Sequence, residues 1–136
     1  MRSVIGRLGR GLRQPLAGSE LSPSQYEVLA TITIRERVRL SDLATIEGLN
    51  PTLLSRIVGK LEAAELVTRE QDLADRRVAH VVSTSKGREL HARIRHQRTD
   101  ALALALDGLT ADEQKTLTDA LPVLEELART LKERPL

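Results

Sequence analysis

The residue types that carry out covalent chemistry are sparse in this chain of 136 residues. It has no cysteine, which excludes disulfides, thiol nucleophiles and thiolate metal sites. Its histidines are His80, His91 and His96, and the last two are five residues apart, a poor spacing for sharing one metal ion on a helix. The sequence also has no glycine-rich phosphate loop and no nucleophile elbow. We therefore expect no enzymatic activity, no bound metal and no cofactor.

The polar residues around Asn50 have types and spacing suited to non-covalent recognition of a polyanion. Asn50 and Pro51 predict a helix start, because asparagine caps helices and proline suits the first helical position. One face of this helix carries Thr52, Ser55 and Arg56, small or polar residues that can approach base edges in the DNA major groove. The opposite face is an apolar stripe of Leu54, Ile57, Val58 and Leu61. An ordinary amphipathic helix has the same pattern, so this helix alone does not decide the function.

A charged loop between two β-branched segments forms the second constellation. Leu66–Glu70 and Val78–Ser83 have the length and composition of strands, and the segment 71–77 joins them. Together they predict a hairpin with arginines at its tip. Such a tip can reach the narrow minor groove next to a helix in the major groove, where the negative potential is enhanced.

The elements that must position these residues are predicted to be mainly helices. Ser22, Pro23 and Gln25 mark a helix start with a capping box, and Pro15–Ser19 predicts a break before it. Pro122 lies within the last apolar stripe, where we expect a kink and not a stop. The predicted helices cover residues 1–14, 23–35, 42–47, 51–64 and 86–106, and a last helix follows the capping residue Thr110.

The short helix before Asn50 is predicted from its two ends. Ser41 is the expected cap, and Gly48 is the expected stop. Within this helix, Leu43 and Ile46 are expected to face inward. A short strand over Val38–Leu40 is expected to precede it.

The composition predicts one soluble, cytoplasmic domain with an aliphatic core. The chain has 24 leucines, one tyrosine and neither phenylalanine nor tryptophan. No apolar run reaches the roughly 18 residues that a membrane-spanning helix needs. Residues 35–99 carry a net charge of +4, whereas residues 100–136 carry −4. A basic middle predicts a polyanionic partner, although ordinary solvated helix faces would give the same charge.

The order of helix, short helix, tight turn, helix and hairpin is that of a winged helix-turn-helix. The segment 41–87 resembles the MarR (multiple antibiotic resistance regulator) family of winged helix-turn-helix transcription factors. The motifs that carry the resemblance are LE followed by LVTR (61–62 and 66–69), DLADRR (72–77) and T-x-K-G (84–87). The segments LSPSQYEVL (21–29) and LTADE (109–113) extend it over the whole chain.

The resemblance implies a mainly α fold with a small β-hairpin wing and a helical dimerisation layer. It implies a single domain over 1–136, with a winged helix-turn-helix lobe at 38–84 and a helical dimerisation lobe made of 1–21 and 85–136. The implied function is that of a homodimeric, sequence-specific regulator that binds double-stranded DNA at a pseudo-palindromic operator, as a repressor. No membrane partner is implied.

The resemblance also assigns roles to residues by position. Thr52, Ser55 and Arg56 would face bases and phosphates in the major groove, and Arg77 would enter the minor groove. Asp75 would orient the Arg77 guanidinium through a bidentate pair, although an ordinary turn-capping aspartate remains the alternative. The expected DNA-contacting set is Ser41, Asn50, Thr52, Ser55, Arg56, Asp75, Arg76 and Arg77.

A small organic effector is a further implication, because the family often binds aromatic or phenolic anions in the cleft between the dimerisation layer and the winged lobe. Tyr26 is the only aromatic residue that could line such a cleft. The candidate lining residues are Arg13, Tyr26 and Arg35.

Two departures from the family pattern leave an alternative open. Glu65 stands where the family usually has glycine, and a left-handed backbone there would cost glutamate about 1 kcal/mol. Glu47 stands where an apolar residue is common, so the short helix could be rotated or shortened. The alternative function is a winged-helix protein-interaction module that no longer binds DNA.

Overall fold

The computed structural model describes residues 1–13 and 21–133, in two compact units, Met1–Arg98 and Thr99–Leu136. The helices are α1 (Arg2–Arg13), α2 (Pro23–Arg35), α3 (Leu40–Glu47), α4 (Pro51–Ala63), α5 (Ser85–Asp107) and α6 (Ala111–Glu133). The strands are β1 (Arg37–Arg39), β2 (Val67–Gln71) and β3 (Ala79–Ser83). The predicted fold class, mainly α with a small β wing, is confirmed. The predicted break at Pro15–Ser19 lies outside the described residues.

The wing is part of a three-stranded antiparallel sheet with β3 at its centre. On one side Val67 and Gln71 of β2 lie opposite Ser83 and Ala79 of β3, as the predicted hairpin requires. On the other side β1 pairs with β3 through residues 37–39 and 80–82. The short strand predicted from the sequence therefore exists, one residue earlier than expected, and it anchors the wing to the body of the unit.

The core of the first unit is aliphatic, as the composition predicts. It joins α2, α3 and α4 to the sheet through the buried side chains of Val28, Leu29, Ile32, Leu43, Leu54, Val58, Leu61, Leu66, Val67 and Val81. Each buried side chain of this size contributes about 1.5–3 kcal/mol of transfer free energy. The apolar stripe predicted for α4 is buried in full, so that its opposite face is held outward.

The start of α3 differs from the prediction. The helix begins at Leu40, and Arg39 takes the cap position without a side-chain cap hydrogen bond. Ser41 is therefore not the cap but a residue of the first helical turn. The reason is tertiary: Leu40 packs against the core, and the extended backbone of β1 leads directly into it.

The inward face of α3 also differs from the prediction. Ile46 is exposed, and Ala44 is buried beside Leu43. The inward positions are 40, 43, 44 and 47, which places the half-buried Glu47 on the core side. The Thr31 hydroxyl of α2 donates a hydrogen bond to the Glu47 carboxylate, which satisfies this polar group.

The turn between α3 and α4 follows the prediction. Gly48 has a left-handed backbone with φ of 64°, and it ends α3. The amide of Leu49 donates to the Ala44 carbonyl at 3.0 Å, and its side chain packs against the core. The turn therefore fixes the direction in which α4 leaves the core.

The T-x-K-G motif clamps the start of α5 to the end of α4. The Thr84 hydroxyl donates to the Glu65 carbonyl at 2.6 Å, and the Lys86 ammonium donates to the Ala64 carbonyl at 3.0 Å. A Cβ on Gly87 would lie 2.1 Å from the Leu66 carbonyl oxygen, so only glycine permits this approach. Glu65 itself has φ of 61°, the left-handed conformation considered from the sequence.

The second unit contains the end of α5 and the whole of α6. Thr110 and Glu113 form the predicted capping box, with hydrogen bonds of 2.8 and 3.2 Å between each side chain and the other residue's amide. The helix continues through Pro122, which is not a stop. Among the described helices, none combines the length and the apolar character that crossing a membrane requires.

Candidate nucleic-acid interface

The N-terminus of α4 is built as the sequence predicts. The Asn50 side chain accepts a hydrogen bond from the Leu53 amide at 2.8 Å, and Pro51 is the first helical residue. The Asn50 side chain thus caps the helix, and its carbonyl oxygen is used in this hydrogen bond. The remaining first-turn amides and the helix dipole make this end of α4 favourable for an anion such as a phosphate.

The outward face of α4 brings three predicted residues together. Thr52 and Arg56 are exposed and Ser55 is partly exposed, while Leu54 and Ile57 on the other face are buried. Because the stripe in the core fixes the rotation of the helix, these polar side chains are presented as one surface. Their contact with DNA stays a prediction.

Arg69 links the wing to α4 through two contacts that the sequence did not reveal. Its Nε lies 2.6 Å from the Glu62 carboxylate, and its Nη2 donates to the Ser55 carbonyl at 3.3 Å. The LE and LVTR motifs therefore supply the two partners of one ion pair. The pair holds β2 in a fixed position relative to the outward face of α4.

The wing tip contains the pair that the sequence suggests between Asp75 and Arg77. The Arg77 Nε donates to Asp75 Oδ1 at 3.2 Å, and its Nη2 donates to Oδ2 at 3.4 Å. The Arg77 amide also donates to Oδ1 at 3.0 Å. These hydrogen bonds, the side-chain ones first, lower the pKa of the Asp75 carboxyl. The Arg77 side chain is 92% exposed, so its guanidinium is held in direction without being buried.

The other predicted contact residues are also at the surface. Arg76 is exposed at the wing tip, and Ser41 is exposed in the first turn of α3. The Ser41 hydroxyl therefore lies in the first turn of α3, while Arg39 occupies the cap position that the sequence predicts for Ser41. Whether either residue contacts DNA stays a prediction.

A polar cluster around His80 lies where the wing meets β1. The Arg37 guanidinium is 3.3 Å from His80 Nδ1, and the Asp72 carboxylate is 4.0 Å from the same nitrogen. Arg37 also lies 3.9 Å from the Glu70 carboxylate. No pattern in the sequence predicts this cluster, because its members come from two segments more than 30 residues apart. It ties both strands of the wing to β1.

The three candidate effector residues have different surroundings. The Tyr26 ring is 7% exposed and stacks on His91 with 5.9 Å between ring centroids, and the Arg98 guanidinium lies 4.1 Å from the ring centroid. Burial raises the pKa of Tyr26 and lowers the pKa of His91. Arg35 lines a cavity of about 370 Å³ that Tyr26 does not line, and Arg13 is exposed at the end of α1. An effector role for these residues stays a prediction.

A larger cavity of about 540 Å³ lies between α2, α4 and α5. It is lined by apolar and basic side chains with one carboxylate: Leu21, Gln25, Lys60, Ala64, Leu66, Lys86, Glu89, Leu90 and Arg93. Its size is in the range that small organic ligands occupy. Among the described residues, no group of three or more histidine, aspartate or glutamate side chains is arranged to hold a metal ion.

Comparison with known proteins agrees with this geometry. The family model described as MarR family matches residues 21–79. The HTH-type transcriptional regulator TtmR of Methylorubrum extorquens (strain PA1) is 30% identical over 121 residues, which are 87% of this chain but only 60% of that protein. The uncharacterized HTH-type transcriptional regulator ML2140 of Mycobacterium leprae (strain TN) is 30% identical over 91% of this chain and 87% of its own length.

The fold comparison gives the same result. The crystal structure of a protein from Pseudomonas aeruginosa PA01 superposes with a TM-score of 0.81 at 31% identity, over 94% of this chain and 91% of that one. The sequence motifs, the family model and the fold therefore agree over the helix-turn-helix and the wing. The chain belongs to the MarR family of helix-turn-helix transcriptional regulators.

Proposed function

We propose that the protein is a homodimeric repressor that binds double-stranded DNA sequence-specifically and occludes a promoter. The observation that carries the proposal is the exposed polar face of α4, with an arginine-tipped wing fastened to the same helix by Arg69. Family membership supports it, since MarR is a family of transcriptional regulators and not of enzymes. The sequence-based prediction of a non-enzymatic regulator is thereby confirmed.

In this proposal α4 enters the major groove. A groove about 12 Å wide admits one helix, and small side chains on the facing surface let it approach base edges. Thr52 and Ser55 are small enough for that approach, and Arg56 has the bidentate geometry that recognises guanine. Ser41 and the N-terminus of α3 would contact phosphate at the groove edge.

The wing would reach the adjacent minor groove. Arg77 is already oriented by Asp75 in the free protein, so less side-chain entropy is lost when it binds. Arg76 would contact a phosphate from the same tip. The same unit would thus contact the major groove through α4 and the adjacent minor groove through the wing.

Homodimer formation is supported by apolar side chains that the described residues leave exposed. On α1 these are Val4, Ile5, Leu8 and Leu12, and on α6 they are Leu117, Leu121, Val123, Leu124, Leu127 and Leu131. We propose that a second copy covers them. The two copies of α4 would then lie about one DNA turn apart, roughly 34–36 Å, which requires a pseudo-palindromic operator. Since the partner is genomic DNA, the protein would act in the cytoplasm.

Release from DNA by a small organic effector is the remaining part of the proposal. The cavity of about 540 Å³ supports it, because its lining combines leucine side chains with three cations and one carboxylate. A ligand there would contact both the end of α4, through Lys60, and α5, through Arg93. It would therefore change the position of α4.

The test is selection of bound sequences from a random pool of duplex DNA, followed by titration of the selected site at several salt concentrations. We expect enrichment of a pseudo-palindrome and an affinity that falls steeply with salt, because each neutralised phosphate releases counterions. Failure to enrich any sequence, with no salt-dependent binding, would contradict the proposal and favour an interaction module that does not bind DNA.

A further inference from the structure

Leu73, at the tip of the wing, is exposed to an unusual degree. Its relative exposure is 104%, the highest among the large hydrophobic residues that the structure describes. The chain otherwise uses leucine to build its core, where Leu29, Leu43 and Leu61 are fully buried. The whole Leu73 side chain is therefore available to a partner outside the folded unit.

The wing tip holds Leu73 outward through its own hydrogen bonds. The Ala74 amide donates to Asp72 Oδ1 at 2.8 Å, which fixes the two residues on either side of Leu73. The Asp72 amide donates to the Val78 carbonyl at 2.9 Å, and the Val78 amide donates to the Asp75 carbonyl at 3.0 Å. These bonds fix the backbone on both sides of Leu73, and in this conformation the isobutyl group is fully exposed.

The charges around Leu73 indicate the kind of partner. Arg76 and Arg77 are exposed on the same tip, and their two charges balance those of Asp72 and Asp75. Because Asp75 is paired with Arg77 and Asp72 accepts from the Ala74 amide, the exposed guanidiniums are what a polyanion meets at the tip. A single leucine is too small an apolar surface to anchor a protein partner or a membrane. The walls of the DNA minor groove offer what the tip fits, since deoxyribose carbons there lie between two rows of phosphates. Apolar side chains are known to enter that groove in other DNA-binding proteins.

We propose that Leu73 packs against the deoxyribose carbons of the minor groove beside Arg77. The inference rests on the proposed function and adds a DNA-contacting residue to it. The wing then binds through an apolar contact as well as through charge. The apolar contact releases no counterions, so it contributes affinity that does not depend on salt.

The test compares three substitutions in the full-length protein on the selected operator. Leu73→Ala removes most of the apolar surface, and Leu73→Gln keeps the size but makes it polar. Both are expected to weaken binding about tenfold, because a dimer loses the contact on two wings. Leu73→Met keeps an apolar side chain and should bind nearly as tightly as the wild type. In all three the slope of log affinity against log salt should stay unchanged, whereas Arg77→Ala should reduce it.

The matched control is Ile34→Ala, which truncates another exposed aliphatic residue, 73% exposed, on α2. It should leave the affinity unchanged. Hydroxyl-radical footprinting gives a direct readout, since the radical attacks sugar hydrogens in the minor groove. We expect protection of the sugars under the wing in the wild type and its loss in Leu73→Ala.

The outcomes separate this inference from the proposed function. If the wild type binds its operator and Leu73→Ala binds with equal affinity and equal sugar protection, the inference is wrong and the proposed function stands. Tight binding by Leu73→Gln, or a reduced salt slope in Leu73→Ala, would also overturn it, because either result excludes an apolar contact. If the wild type selects no DNA, both fall together.

Discussion

Replacing Asp75 tests whether the wing arginine is oriented or merely charged. Asp75→Ala removes two side-chain hydrogen bonds to the Arg77 guanidinium and one to its amide. The Asp75 side chain is 42% exposed and its partners all lie within the exposed wing tip, so the substitution should change the free energy of unfolding by no more than about 0.5 kcal/mol. The effect on DNA is therefore separable from an effect on folding.

The expected magnitude follows from the entropy of one side chain on each wing. Immobilising a flexible side chain costs about 0.5–1.5 kcal/mol. Because Asp75 already orders the Arg77 side chain in the free protein, part of this entropy loss does not occur on binding. With two wings, Asp75→Ala should weaken operator binding about fivefold or more. Counting charges alone gives the opposite sign, because the substitution removes two negative charges near phosphates.

Two companion variants bracket this result. Arg77→Ala removes the contact itself, and at about 1–3 kcal/mol for each wing the affinity should fall at least tenfold. Arg77→Lys should rescue binding only in part, because a point charge cannot keep the planar pair with Asp75. The measurement is fluorescence anisotropy of labelled operator at fixed salt, with dimer integrity checked by sedimentation. Tighter binding by a folded Asp75→Ala dimer would refute the argument and show that the wing is only a diffuse basic patch.

Three further predictions concern the scaffold. Gly87→Ala should destabilise the protein by about 1–3 kcal/mol in urea denaturation, because its Cβ would lie 2.1 Å from the Leu66 carbonyl oxygen, whereas Gly59→Ala, with open space around its Cβ, should be neutral or stabilising. Burial lowers the pKa of His91 in the folded protein, so as the pH falls the His91 imidazole is protonated first in the unfolded chain. The free energy of unfolding should therefore decrease as the pH drops below about 6.5. His91→Phe should remove that pH dependence, and a variant with the same pH profile as the wild type would contradict the prediction. Deletion from Thr110 onward should give an insoluble or monomeric protein without tight DNA binding, and a monomer with full operator affinity in a gel shift would disprove the proposed dimer.

The sequence predicts α4 well because several local signals agree there. Asn50 caps it, Pro51 starts it and the apolar stripe fixes its rotation, all within one stretch of chain. The start of α3 differs from the prediction because tertiary packing of Leu40 and the preceding strand overrides the capping signal of Ser41. Local patterns predict an element when packing and capping favour the same boundary.

The supporting contacts of the interface could not be predicted in the same way. The pair between Glu62 and Arg69 and the contact between Arg37 and His80 join residues on different elements. Nothing in the periodicity of either element marks these partners. Three of them are ordinary charges at exposed or half-exposed positions, and the fourth, His80, is a buried polar residue within a strand. The pair within the wing tip was predictable because Asp75 and Arg77 are two residues apart in one turn.

The two departures from the family pattern are each accommodated where they occur. Glu47 faces inward, but the Thr31 hydroxyl donates a hydrogen bond to it, so no unpaired carboxylate is left against the core. Glu65 adopts the left-handed conformation at roughly 1 kcal/mol, and its carbonyl accepts the 2.6 Å hydrogen bond from Thr84 that secures α5. Glu47 is hydrogen-bonded to α2, and Glu65 follows the end of α4. Thr52, Ser55 and Arg56 lie instead in the first half of α4, whose rotation is set by its buried stripe. The departures therefore affect stability and leave the proposed recognition surface as it is, so they give no reason to prefer the interaction-module alternative over DNA binding.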